Sequence, residues 1–224
     1  MEPYTPSVRN VFRNAFWLCF DHLGRSILFN LLFILTSLPV VTLPASFGAL
    51  MRVTMLMIED KEAGMKDYFT GLIRTGPRFT LFYACLILFF GICLVDALFY
   101  VRTPSLLSAL LNSWVLIGAL SGCLLMLYLP TLLLVHKGRG ILKLAAALIL
   151  SNLVFSLKAL LLAAVVKLMC LLAALPLVLC AFTFLALFLH FTYMEAAGRY
   201  AGARPGYAKE RSVVKEFLIP PTSR

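Results

Sequence analysis

Charge is scarce in this chain. Asp, Glu, Lys and Arg make up 13% of its 224 residues, and just ten of them are acidic. Soluble domains carry about 25% charged and about 45–50% apolar residues. Here the apolar share is 62% and the mean hydropathy +0.95. A soluble protein of this length has no interior large enough for so much apolar surface. Lipid must solvate much of it. The class that fits is all-α: a polytopic transmembrane bundle of about four to six helices, with short interfacial helices beside them.

Other absences narrow the chemistry. The cysteines Cys19, Cys85, Cys93, Cys123, Cys170 and Cys180 form no C-x-x-C pair, and all lie in apolar runs. They read as small packing residues rather than a disulfide framework. His22, His136 and His190 lie far apart, so no metal is expected. No Walker A, G-x-S-x-G or G-x-G-x-x-G motif occurs, so neither ATP hydrolysis nor dinucleotide binding has support. No cofactor and no enzymatic activity are expected. The first 25 residues carry Glu2, Arg9, Arg13, Asp21 and Arg25 without a continuous apolar core, unlike a cleavable signal peptide. The net charge of +10 comes from cations placed between apolar segments and at the ends. That placement points to a lipid bilayer as partner, and to no nucleic acid.

Proline and charge divide the chain. In residues 1–23, apolar side chains at roughly helical spacing alternate with Arg9, Arg13 and Asp21, and Trp17 suits the headgroup level. This predicts an interfacial helix leading into the membrane. Residues 26–58 are apolar except for Arg52. One helix of that length would run about 50 Å, too long for a hydrocarbon core of about 30 Å. Pro39 and Pro44 break it, which predicts two short helices, 25–39 and 44–58. A polar loop fills 59–78, with a short surface helix around Phe69, Leu72 and Ile73. Residues 79–101 and 106–135 are two spans around a turn at Arg102 to Ser105. Residues 141–157 read as a surface helix or a span. The apolar run 158–193, broken by Lys167 and Pro176, either bends at Pro176 or pairs as 141–166 with 168–193. The division is one helical membrane domain over 1–193 and a basic tail over 194–224.

The cations set an orientation. Arg9, Arg13 and Arg25 lie near the start, and Lys61, Lys66, Arg74 and Arg78 in the polar loop. Lys137, Arg139, Lys143 and Lys158 follow in the third polar region, and six more lie in the tail. A layout of successive hairpins puts all of these on one side. Both termini, loop 59–78 and region 136–158 then face the cytoplasm, with 40–43 and 101–105 outside. Residues 25–64 and 158–198 also echo each other: a cation, an apolar run to a proline, then an acid near Ala-Gly. Leucine-rich sequence gives such echoes by chance, and chance is the reading adopted.

Ionisable groups inside lipid are functional candidates by default. Arg52, Asp96, Lys167 and His190 could line a polar path or pair within the membrane. The plainer readings are that Arg52 snorkels to the inner interface, Asp96 pairs with Arg102 near the outer one, and His190 pairs with Glu195. Lys167 is interfacial if the chain turns nearby. Otherwise it lines a cavity or pairs with Asp96. Lys61, Lys66, Arg74, Lys137, Arg139 and Lys143 are candidate contacts for a cytoplasmic partner.

The stretch from Asn30 to Leu35, followed by Leu43-Pro44-Ala45-Ser46-Phe47-Gly48-Ala49-Leu50, resembles the first block of the YesL-like bacterial membrane proteins, a family of unknown function. Asp67-Tyr68-Phe69 resembles the aromatic stretch after that family's charged loop. Leu127-Tyr128-Leu129-Pro130 and the segment from Leu142-Lys143 to Asn152-Leu153 are similar to its later Tyr-x-x-Pro segment and amphipathic helix. The basic, proline-containing tail departs from the pattern. The resemblance implies a bacterial cell membrane and a link with carbohydrate uptake. It supplies no catalytic residues. The resulting expectation is a non-enzymatic accessory to solute uptake, working beside a permease. The rival expectations are a small transporter or channel, and a membrane assembly factor.

Overall fold

The computed structural model describes residues 6–59, 61–102, 105–136, 140–172 and 175–200. These residues form nine α-helices and no strand: α1 (Val8–Asp21), α2 (Leu23–Ser37), α3 (Leu43–Ile58), α4 (Met65–Arg74), α5 (Gly76–Arg102), α6 (Leu106–Val135), α7 (Ile141–Ser151), α8 (Leu153–Leu172) and α9 (Leu175–Tyr200). A 3-10 turn, Val40–Thr42, joins α2 to α3. Four segments are each long and apolar enough to cross a membrane: Val40–Ile58, Gly76–Phe99, Leu110–Val135 and Cys180–Gly198. The bent pairs α1–α2 and α7–α8 pass the same test, which makes up to six crossings. The all-α membrane architecture is therefore the observed one.

Proline marks the breaks. Pro39 precedes the 3-10 turn, and Pro44 sits in the first turn of α3. Pro176 likewise sits in the first turn of α9. Proline lacks an N–H and has a fixed φ, so the first helical turn accepts it. Of the two layouts open for 158–193, the chain divides between α8 and α9, beside Pro176. Residues 141–157 are neither one surface helix nor one span. They hold α7, a sharp break at Asn152 and the start of α8. Helix α9 runs on to Tyr200, and Glu195, Ala196 and Ala197 are buried in it. The helical body thus extends past residue 193. Most of the tail, 201–224, lies outside the described residues.

The helices repeat one order three times: a short helix, an elbow, an outgoing helix and a returning helix. The units are α1–α2–α3, α4–α5–α6 and α7–α8–α9. The elbows share one hydrogen-bond pattern. His22 N donates to Leu18 O at 3.2 Å, and Ser26 N donates to His22 O at 2.8 Å. Thr75 N donates to Gly71 O at 2.8 Å, and Phe79 N to Thr75 O at 3.2 Å. Asn152 N donates to Leu148 O at 3.2 Å, and Ser156 N to Asn152 O at 2.8 Å. The bend is 94° between α1 and α2 and 98° between α7 and α8.

Packing follows the same order. The returning helices α3, α6 and α9 touch one another. Each outgoing helix leans on the returning helix of the preceding unit: α2 on α9, α5 on α3, α8 on α6. Each short helix does the same, α1 on α9, α4 on α3 and α7 on α6. The first unit therefore closes on the last, giving a pseudo-threefold ring.

Burial counted from the elbows confirms the equivalence. Seven residues before them, Ala15, Tyr68 and Ala145 are fully buried. Four residues after them, Ser26, Phe79 and Ser156 are buried. Ten, six and two residues before them stand exposed, mostly apolar stripes: Phe12, Phe16 and Phe20; Met65, Phe69 and Ile73; Leu142, Ala146 and Leu150. Nine before them, Arg13, Lys66 and Lys143 are exposed cations. An apolar stripe beside a cation is the pattern of a helix lying at a membrane interface. The echo of 25–64 and 158–198, read as chance, falls on the outgoing and returning helices of the first and third units, out of register at its start and without the second unit.

Candidate functional site: a polar junction of the returning helices

Most polar side chains in the ring's interior join one helix to another. At its centre, His190 of α9 is 2% exposed. Its Nε2 lies 2.8 Å from Met51 O on α3, and its Nδ1 3.2 Å from Thr131 Oγ1 on α6. A carbonyl oxygen can only accept, so Nε2 carries the proton. Nδ1 is then the lone-pair nitrogen, and the Thr131 hydroxyl donates to it. One imidazole thus ties together the three returning helices. Both ring nitrogens are engaged in bonds to neighbouring helices.

The joints between units are also polar. Thr183 Oγ1 donates to Ser26 O at 3.0 Å, and Phe182 N donates to Asn30 Oδ1 at 3.2 Å, both joining α9 to α2. Tyr128 and Ser156 share a hydroxyl–hydroxyl bond of 2.7 Å between α6 and α8. Within the third unit, Asn152 Nδ2 reaches Ala196 O on α9 at 3.4 Å. Tyr68 of α4 meets Thr36 Oγ1 at 2.8 Å and donates to Ser46 O at 3.5 Å, pinning α4 to the α2–α3 turn. Burial pushes the Tyr68 phenol above its ordinary pKa, against the opposing pull of those two partners. The α3–α5 joint is apolar. A Cβ on Gly48 would stand 2.8 Å from Phe79 Cγ, so the Phe79 ring lies directly on the α3 backbone. Gly71 likewise brings α4 onto α3, its missing Cβ 3.1 Å from Ala49 Cα. Small residues and interhelical hydrogen bonds are what hold helices together in lipid, where apolar burial supplies little drive.

The expected site residues do not converge. His190 and Glu195 are not partners: Glu195 Oε1 instead accepts from Ser7 N at 3.0 Å, which ties the start of α1 to α9. Residue Arg52 is half-buried on α3, and its stem covers Gly71 of α4. Asp96 lies on α5 about 25 Å beyond Phe79, at about 1.5 Å per residue, away from the junction. Lys167 falls within α8, but its side chain lies outside the described residues. Of the six partner-facing cations, Lys61, Lys66, Arg74 and Lys143 are exposed, and Lys61 pairs with Glu59. Lys137 and Arg139 lie outside the described residues. Among the described residues, no three His, Cys, Asp or Glu side chains converge as metal ligands do. Sequence reasoning missed Thr131, Asn30, Ser156 and Thr183. Each is a lone polar residue in an apolar helix, and such residues in lipid are candidates for interhelical bonds.

No family model, no curated protein and no solved structure matches this chain.

Proposed function

We propose that this membrane protein is a non-enzymatic accessory to solute uptake, with carbohydrates as the solute class and a permease as its partner. In this reading it is a YesL-like protein of a bacterial cell membrane. Both termini, loop 59–78 and region 136–158 face the cytoplasm, and the exposed cations of α4 and α7 meet the partner there. One observation supports this above the rest. His190, one of the four ionisable residues considered for a polar path or intramembrane pairing, has both ring nitrogens engaged in helix–helix bonds. The interior polarity therefore serves cohesion, as expected of a scaffold.

Purified protein in liposomes separates the readings. A scaffold gives no carbohydrate flux alone and co-purifies with a permease. Solute flux through the protein by itself would favour a transporter. Altered permease abundance with unchanged flux per permease would favour an assembly factor.

A further inference from the structure

Helices α5, α6 and α7 enclose a groove of about 650 Å³. That is within the range of about 300–1,000 Å³ typical of ligand sites. The walls are apolar, chiefly Phe82 and Leu86 on α5 and Leu125 on α6. At the far end, Phe89 lies on bare backbone: a Cβ on Gly122 would stand 2.9 Å from its ring. At the near end is Arg78, the one charged residue of the lining among the described residues, and it is exposed.

The dimensions suggest an occupant. From Arg78 to Phe89 the groove runs about 16 Å along α5, at about 1.5 Å per residue. One leaflet of hydrocarbon is about 15 Å deep, half of the roughly 30 Å core. Arg78 sits two residues into α5, where a span of 27 residues would enter the headgroup layer. A guanidinium at that level presents a fork that suits a phosphate.

We propose that this groove seats one acyl chain of an anionic phospholipid, with the headgroup phosphate held by Arg78. The bound lipid fills the space between outgoing helix α5 and returning helix α6, and anchors the second unit in its leaflet. The inference rests on placement in a membrane and is independent of any role in uptake.

The test uses the full chain in vesicles of equal phosphatidylglycerol and phosphatidylcholine, followed by native mass spectrometry of the released protein. The wild type retains phosphatidylglycerol in preference to phosphatidylcholine. Arg78→Gln lowers that preference roughly fivefold, the scale of one basic residue at an anionic surface. Ser121→Trp fills the groove from its lining and removes retention of both lipids. Equal retention of the two lipids by the wild type overturns the proposal, and so does an unchanged ratio in Arg78→Gln. Retention undiminished in a folded Ser121→Trp protein overturns the groove as the location. If Ser121→Trp does not fold, Arg78→Gln still decides, because Arg78 is exposed and its loss disturbs no packing.

Discussion

The base of the ring and the distal half of the α5–α6 hairpin are both built from apolar helices and are packed in opposite ways. At the base, Tyr68, Tyr128, Leu132 and Ala186 are fully buried, and returning helices meet through His190. Along distal α5, Leu88 is 66% exposed, Leu94 61% and Val95 67%. In water that difference would mark the distal hairpin as unstable. In lipid it costs little, because the surroundings are as apolar as another leucine. What distinguishes the two regions is contact geometry: at the base the ring that meets glycine backbone is buried, and single polar groups reach the next helix. Stability should therefore depend on the base far more than on the distal hairpin.

Substitutions at matched positions can break or sharpen this contrast. The largest effect is expected from Gly48→Ala. Its Cβ would meet the ring of Phe79, which is 1% exposed and has nowhere to go. Overpacking of this kind costs about 1–3 kcal/mol, read as a lowered unfolding midpoint in detergent. Next comes His190→Leu, which removes both bonds at the junction. Two interhelical hydrogen bonds in a membrane protein are together worth about 1–2 kcal/mol, and thermal unfolding should show that loss with the helical content intact. Gly122→Ala is the distal counterpart of Gly48→Ala, with a comparable nominal clash of 2.9 Å against Phe89. Phe89 is 40% exposed and can swing into lipid, so the cost should stay below about 1 kcal/mol. Leu94→Ala, on the exposed face, should shift the midpoint least, within about 0.5 kcal/mol. Equal effects at Gly48 and Gly122 would erase the contrast between base and distal hairpin.

Much of the fold was legible, because hydropathy and proline act locally. The expected spans 79–101 and 106–135 correspond to α5 and α6 within a few residues. The two short helices around Pro39 and Pro44 correspond to α2 and α3. The repeat was not legible, because its units share positions rather than residues. His22, Thr75 and Asn152 occupy equivalent elbows with unrelated side chains. Phe29 and Ala159, each seven residues past an elbow, are both fully buried yet differ greatly in volume. An echo sought by residue type therefore touched only two of the three units, out of register, and was put down to chance. The site was half legible. His190 stood out as an ionisable group in an apolar run, but its partners did not. One partner is a backbone carbonyl, which no sequence pattern marks. The other, Thr131, is one among many hydroxyls that usually bond within their own helix, as Thr54 and Thr192 do.

The central claim is that three equivalent units enter the membrane from one face. Its direct test is single cysteines in a background with the six native cysteines replaced. The cysteines are placed at Arg13, Lys66 and Lys143 on the short helices, and at Val41 and Ser105 in the turns between outgoing and returning helices. A thiol reagent that cannot cross membranes is applied to sealed vesicles of known orientation. The account predicts that positions 13, 66 and 143 react from one side, and positions 41 and 105 from the other. Reaction of any short-helix position from the side of Val41 and Ser105 would contradict it.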